Sequence, residues 1–111
     1  MSAVFAYVTA ASTEEAQAIG RALVAERLAA CVNILPGMHS IYHWQGAVET
    51  AEETVLVAKT RAELADTLAA RVKELHSYDV PCVVILPISG GHPPFLRWIE
   101  DETAPVTPSN L

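Results

Sequence analysis

Arg27-Leu-Ala-Ala-Cys-Val-Asn-Ile-Leu-Pro-Gly-Met-His-Ser-Ile-Tyr-His-Trp-Gln-Gly46, followed by the return from Val48 to Lys59, is the stretch that decides how this chain folds. Branched and aromatic residues recur on both sides of Gly46, so the two segments read as the arms of one hairpin, Cys31 to Gln45 out and Val48 to Lys59 back. Each arm is about twice the usual strand of five or six residues. At about 3.3 Å per residue an arm runs roughly 40 Å, longer than a body of this size supports. The tip therefore projects, carrying Ile41, Tyr42 and Trp44, and would be an exposed apolar edge unless another chain covered it. Pro36-Gly37 interrupts the outgoing arm, which predicts a bend or bulge where proline need not donate a ladder bond.

The hairpin joins two units built to the same grammar. Ala3 to Thr9 is a short apolar run that suits a buried strand, and Ser12 with Glu15 reads as a capping box opening a helix. Its apolar stripe is Ala16, Ile19, Leu23 and Leu28. In the second unit Thr54 to Lys59 is the strand, Thr60 with Glu63 a second capping box, and Leu64, Leu68, Val72 and Leu75 the helical stripe. Pro81 marks the return, and the strand Cys82 to Pro87 follows. Right-handed crossovers linked by a hairpin predict an α+β, ferredoxin-like βαββαβ sandwich with an antiparallel sheet in the order 4-1-3-2. Both helices cover one face, and a neighbouring subunit is the natural cover for the other. An extra C-terminal helix is predicted from about Pro94 to Glu102, with Phe95, Trp98 and Ile99 on one side. Residues 1–103 are read as one domain and 104–111 as a loosely ordered tail.

The 111 residues are 51% hydrophobic, enough for one core, and a chain of this length gains from further burial by self-association. Thirteen acidic and seven basic side chains give a net charge of −6 without a basic run, which argues against nucleic acid as partner. No apolar segment approaches the roughly 18 residues that span a bilayer, and the first residues lack a charged leader region. No membrane association and a cytoplasmic location are the expectations. Cys31 and Cys82 are too few for a disulfide framework and lack zinc-ribbon spacing; both read as small buried hydrophobes, with a soft Cu(I) ligand as the other reading. In the expected sheet they stand on opposite edges about 14 Å apart, beyond the roughly 7 Å Cα separation a disulfide tolerates.

Matched positions run along almost the whole chain: Glu26, Leu28 to Cys31, Ile34 to Gly37, Ser40, Tyr42, Trp44, Gly46, Glu53, Lys59-Thr60, His76, Tyr78, Pro81, Leu86-Pro87, Leu96 and Trp98. In this pattern the chain resembles the CutA divalent-cation tolerance family, whose signature is a long strand pair ending in a Tyr-x-Trp-x-Gly bend. The resemblance implies a ferredoxin-like fold, a tight homotrimer, kinship with the trimeric PII signalling proteins, and a role in tolerance of divalent cations, copper above all, through metal binding. One metal site described in bacterial members uses a Cys late in the first strand and two adjacent His at the end of the second helix. Here those positions hold Val8 and Leu75-His76, so His76 alone of that set is present.

His76, at the end of its helix, serves either as a group favoured by the helix dipole or as a metal ligand. His39 and His43 lie on a strand, so about 13 Å separates them and one chain cannot chelate an ion with both. Lys59, Glu53, Tyr78 and Asp79 with the indoles of Trp44 and Trp98 are expected to line a cleft between subunits, convergent polar groups in apolar walls. The same aromatics also suit anchors of a trimer interface. No Ser or Cys stands beside a base in an elbow and no carboxylate pair has a recognisable setting, so the chain is read as non-enzymatic. The expected partners are copies of itself and either a metal ion or, in a PII-like alternative, a small anionic effector near Lys59.

Overall fold

The computed structural model describes residues 2–104. In chain order the elements are β1 (Ala3–Ala10), α1 (Thr13–Ala25), β2 (Cys31–Trp44), β3 (Ala47–Arg61), a 3-10 turn (Ala62–Leu64), α2 (Ala65–Leu75), β4 (Val83–Pro87) and α3 (Pro93–Asp101). The sheet order is β2-β3-β1-β4, with every pair antiparallel. This is the ferredoxin-like order predicted from the two crossovers. Apart from Ala104, whose amide donates to the Arg27 carbonyl, the expected tail lies outside the described residues.

Alternation along the strands sorts side chains between two faces. Ala6, Val8, Leu56 and Ala58 point to the helices and are completely buried against Ala16, Ile19, Leu23, Leu68 and Val72. Gly20 brings α1 close to β2, for a Cβ there would meet Val32 Cγ2 at 2.8 Å. On the opposite face stand Phe5, Tyr7, Leu35, Val55, Val57, Val84 and Leu86, and Leu35, Val84 and Leu86 are about half exposed. α3 covers one end of this open face through Ile99, which packs on Ala3 and Ala30 with Leu96 and Ile88 around it. Phe95 and Trp98 do not share that burial with Ile99, as one-sided helix reading expected; they project and stack at 5.6 Å.

Three local expectations are corrected. Ser12 caps α1 by accepting from the Glu15 amide, but Glu15 Oε1 accepts from Ala11 N rather than returning to Ser12. Thr60 caps nothing: the β1 pairing carries β3 on to Arg61, so Thr60 faces the core opposite Val4 with its hydroxyl unpartnered among the described residues. α1 ends at Ala25 instead of running to Leu28. The amides of Arg27 and Leu28 donate to the carbonyls of Val24 and Leu23, the paired bonds of a Schellman stop, with Arg27 at φ 59 where glycine is usual.

The hairpin is as long as expected, 14 residues in β2 and 15 in β3, and it stretches the chain to 47 Å along its longest axis. Gln45 and Gly46, both at positive φ, make the tight two-residue turn. Between Leu35↔Val55 and Met38↔Glu53 two residues, Pro36 and Gly37, oppose Thr54 alone, so the predicted irregularity is a bulge. One extra residue swaps the face of everything beyond it. Met38, Ser40, Tyr42 and Trp44 are thereby turned to the open face alongside Glu53, while His39, Ile41 and His43 go to the other.

Candidate functional site

A cavity of about 380 Å³ opens where the outer half of the hairpin meets the loop after α2. Thr9 of β1, Tyr42 and Trp44 of β2, Glu53 of β3, Tyr78, Asp79 and Val80 of the loop, and Cys82 before β4 line it. The bulge supplies Tyr42 and Trp44 to this face. Glu53 joins the two sides: its Oε1 accepts from Ser40 Oγ at 2.7 Å and its Oε2 from the Tyr78 hydroxyl at 3.1 Å. Burial first, then the hydrogen bond to Glu53, pushes the Tyr78 phenol up to about 12, so it stays a neutral donor across the physiological range.

His76 stands behind this wall. Its side chain is fully buried, Nε2 lies 2.7 Å from the Thr9 carbonyl and Nδ1 accepts from the Tyr78 amide at 3.0 Å. An amide can only donate, so Nδ1 carries the lone pair and the proton sits on Nε2, donated to Thr9. Its ring packs at 4.7 Å against Tyr78. Both nitrogens are thus engaged in fixing the loop, and a metal ion could take one only by displacing a bond. Glu15 anchors the same loop through Ser77 N at 2.7 Å while holding Ala11 N at 2.9 Å. Burial opposes its charge, but these two bonds outweigh that and hold the carboxyl below the usual carboxylate range.

The residues expected to share one cleft fall in two places on the single chain. Trp44, Glu53, Tyr78 and Asp79 line the cavity. Lys59 lies six residues along β3 from Glu53, about 20 Å away at strand spacing. There its Nζ donates to Asn33 Oδ1 at 2.6 Å and sits 5.7 Å from the Phe95 ring, on which Trp98 stacks, and 5.9 Å from that of Phe5. The strand end carrying Lys59 and the turn after His76 are therefore not neighbours in one chain, because β1 and β3 run their full length between them. Cys31 and Cys82 are both half-buried rather than buried, at opposite edges of the sheet. Among the described residues no three His, Cys, Asp or Glu side chains gather as a metal site, and no helix is long and apolar enough to cross a membrane. Thr9, Tyr42, Val80 and Cys82 were not expected in the site; the two-residue spacing of Tyr42 and Trp44 on a strand was the signal available for one of them.

Fold and site together define a ferredoxin-like α+β sandwich whose bulged, overlong hairpin sets aromatic side chains over an acidic cavity. The model of the CutA1 divalent ion tolerance protein family matches residues 4–102, and the chain belongs to that family. It is 49% identical over 96 residues to the divalent-cation tolerance protein CutA of Thermus thermophilus, covering 86% of this chain and 93% of that one. With the chloroplastic protein CutA 1 of Oryza sativa it shares 45% over 97 residues, 87% of this chain but only 55% of the plant protein, so it spans about half that relative's length. The crystal structure of CutA1 from Oryza sativa superposes with a TM-score of 0.91 at 42% identity, covering 94% and 95% of the two chains.

Proposed function

We propose that this protein serves divalent-cation tolerance, with copper as its principal ion, as a cytoplasmic, non-enzymatic homotrimer. The observation that carries the reading is the open sheet face. Leu35, Val84 and Leu86 are about half exposed there, and the hairpin beyond leaves Tyr42 and Trp44 uncovered as well. An apolar surface of this extent marks an interface. The radius of gyration, 14.8 Å, exceeds the roughly 13 Å of a compact chain of this length, as expected of a subunit shaped to wrap others. The names of the relatives support the tolerance role.

The metal is cargo in this reading. One chain gathers no complete ligand set among its described residues, so a site needs donors from more than one subunit. His76 is the ligand candidate, and to bind metal through Nδ1 it would have to release the Tyr78 amide. Copper titration of native protein and His76→Ala tests this: weaker binding by the variant is expected, and equal affinity removes His76 from the site. Light scattering should return three times the 11.9 kDa chain mass. A second reading, a PII-like trimer holding a small organic anion, is favoured by Lys59, whose ammonium group lies between apolar rings with Asn33 as its hydrogen-bond acceptor.

A further inference from the structure

The cavity's chemistry suits neither an anion nor a bare divalent ion. Its lining carries two carboxylates, Glu53 and Asp79, and no Lys, Arg or His, so an anion would meet like charge. A divalent metal would be poorly held, because both Glu53 oxygens already accept from Ser40 and Tyr78, and Glu53, Asp79 and Cys82, though all in the lining, do not gather as a ligand set among the described residues. What the walls do offer is aromatic surface: Tyr42, Trp44 and Tyr78. Ring faces are negative and attract cations that carry their own apolar shell, which strongly hydrated metal ions do not.

We infer that this cavity is an aromatic cage for an organic ammonium ion, with Tyr42, Trp44 and Tyr78 around the cation and the Asp79 carboxylate as counter-charge. The volume, about 380 Å³, is that of a small-ligand site. Asp79 makes no side-chain hydrogen bond or ion pair among the described residues, so its charge is available to a ligand, while Glu53 holds Tyr78 in place. Tyr78 is preorganised: its amide is held by His76 Nδ1, its ring by the His76 ring, and its hydroxyl by Glu53. A cage assembled before the ligand arrives loses less ordering entropy on binding. Trp44 is 56% and Tyr42 42% exposed in the single chain, so the cage is open on the hairpin side. The neighbouring copy proposed above would close that side.

Tetramethylammonium chloride tests the inference by calorimetry and tryptophan fluorescence on the native assembly, at ionic strength fixed with sodium chloride. EDTA throughout keeps the result independent of metal, so the cage can fail while copper binding stands, and the reverse. Saturable binding of one ion per chain is expected, with no binding of tert-butanol, a neutral molecule of similar size. Loss of an aromatic wall in Trp44→Leu should weaken binding about tenfold, and Asp79→Asn about threefold to tenfold. Val48→Thr, on the other face of the same hairpin, should bind as native protein does. If Trp44→Leu disturbs assembly, the isosteric Asp79→Asn decides. Absence of saturable binding, equal binding of tert-butanol, or native affinity in Asp79→Asn would overturn the cage.

Discussion

The two faces of the sheet carry nearly the same chemistry and meet different fates. Val8, Leu56 and Ala58 on one side are sealed under α1 and α2; Leu35, Val84 and Leu86 on the other, carried by the edge strands β2 and β4 of the same sheet, are about half exposed although equally apolar. Sequence alternation cannot distinguish them, because both faces read as interior. The difference lies in how much chain is left to cover each: two helices go to one face, and α3 reaches only the Ala3–Ala30 end of the other. An apolar face without its own cover is an instruction to associate.

Substitutions matched between the faces would sharpen or break this comparison. The largest effect is expected from a charge placed on the open side: Trp44→Asp should shift the light-scattering mass toward that of one chain, since a desolvated, unpaired charge costs several kcal/mol. A trimer that persists would place Trp44 outside the interface. Next comes the pair Leu56→Ala and Leu86→Ala. The first empties the sealed core and should lower stability in urea by about 2–5 kcal/mol. Leu86→Ala should approach that loss only if a neighbour buries Leu86, and an effect well under 1 kcal/mol at high protein concentration would mean the face stays wet.

Smaller effects are expected where the helix side is tightest. Gly20→Ala drives a methyl group to within 2.8 Å of Val32 Cγ2. Overpacking costs about 1–3 kcal/mol, and the gain in helix propensity of up to about 1 kcal/mol offsets part of it. A lowered melting temperature is the expected result; a raised one would show that Val32 moves aside freely. The smallest effect is that of pH on the loop clamp. Because the folded Glu15 carboxyl lies below its unfolded value near 4.5, its contribution is complete above that value and is lost as pH falls below it. Urea midpoints of native protein should therefore decline on acidification through that window, with a shallower decline in Glu15→Gln. Identical pH profiles would show that the charge of Glu15 does not tie Ala11 to Ser77.

Much of this was legible because it is local. Apolar spacing along Ala16, Ile19 and Leu23 marks a helix, Ser12 its start, and Pro36-Gly37 a break that a long strand survives only as a bulge. The misread pieces are those where a distant partner decides. Thr60 has the sequence of a cap, but pairing with β1 extends the strand past it. Arg27 gives no glycine signal, yet the descent into β2 imposes a left-handed residue there.

From sequence alone came the elements, the strand order, the overlong hairpin and the family, for each rests on short-range periodicity or on motifs carried in order along the chain. Tertiary structure alone decided which side chains meet. The bulge turned Tyr42 and Trp44 toward Glu53, the loop after α2 brought Tyr78 to the same carboxylate, and the length of β3 carried Lys59 away from both. Such encounters depend on register and on which face a residue occupies, and a single inserted residue reverses the face without altering the pattern on either side of it.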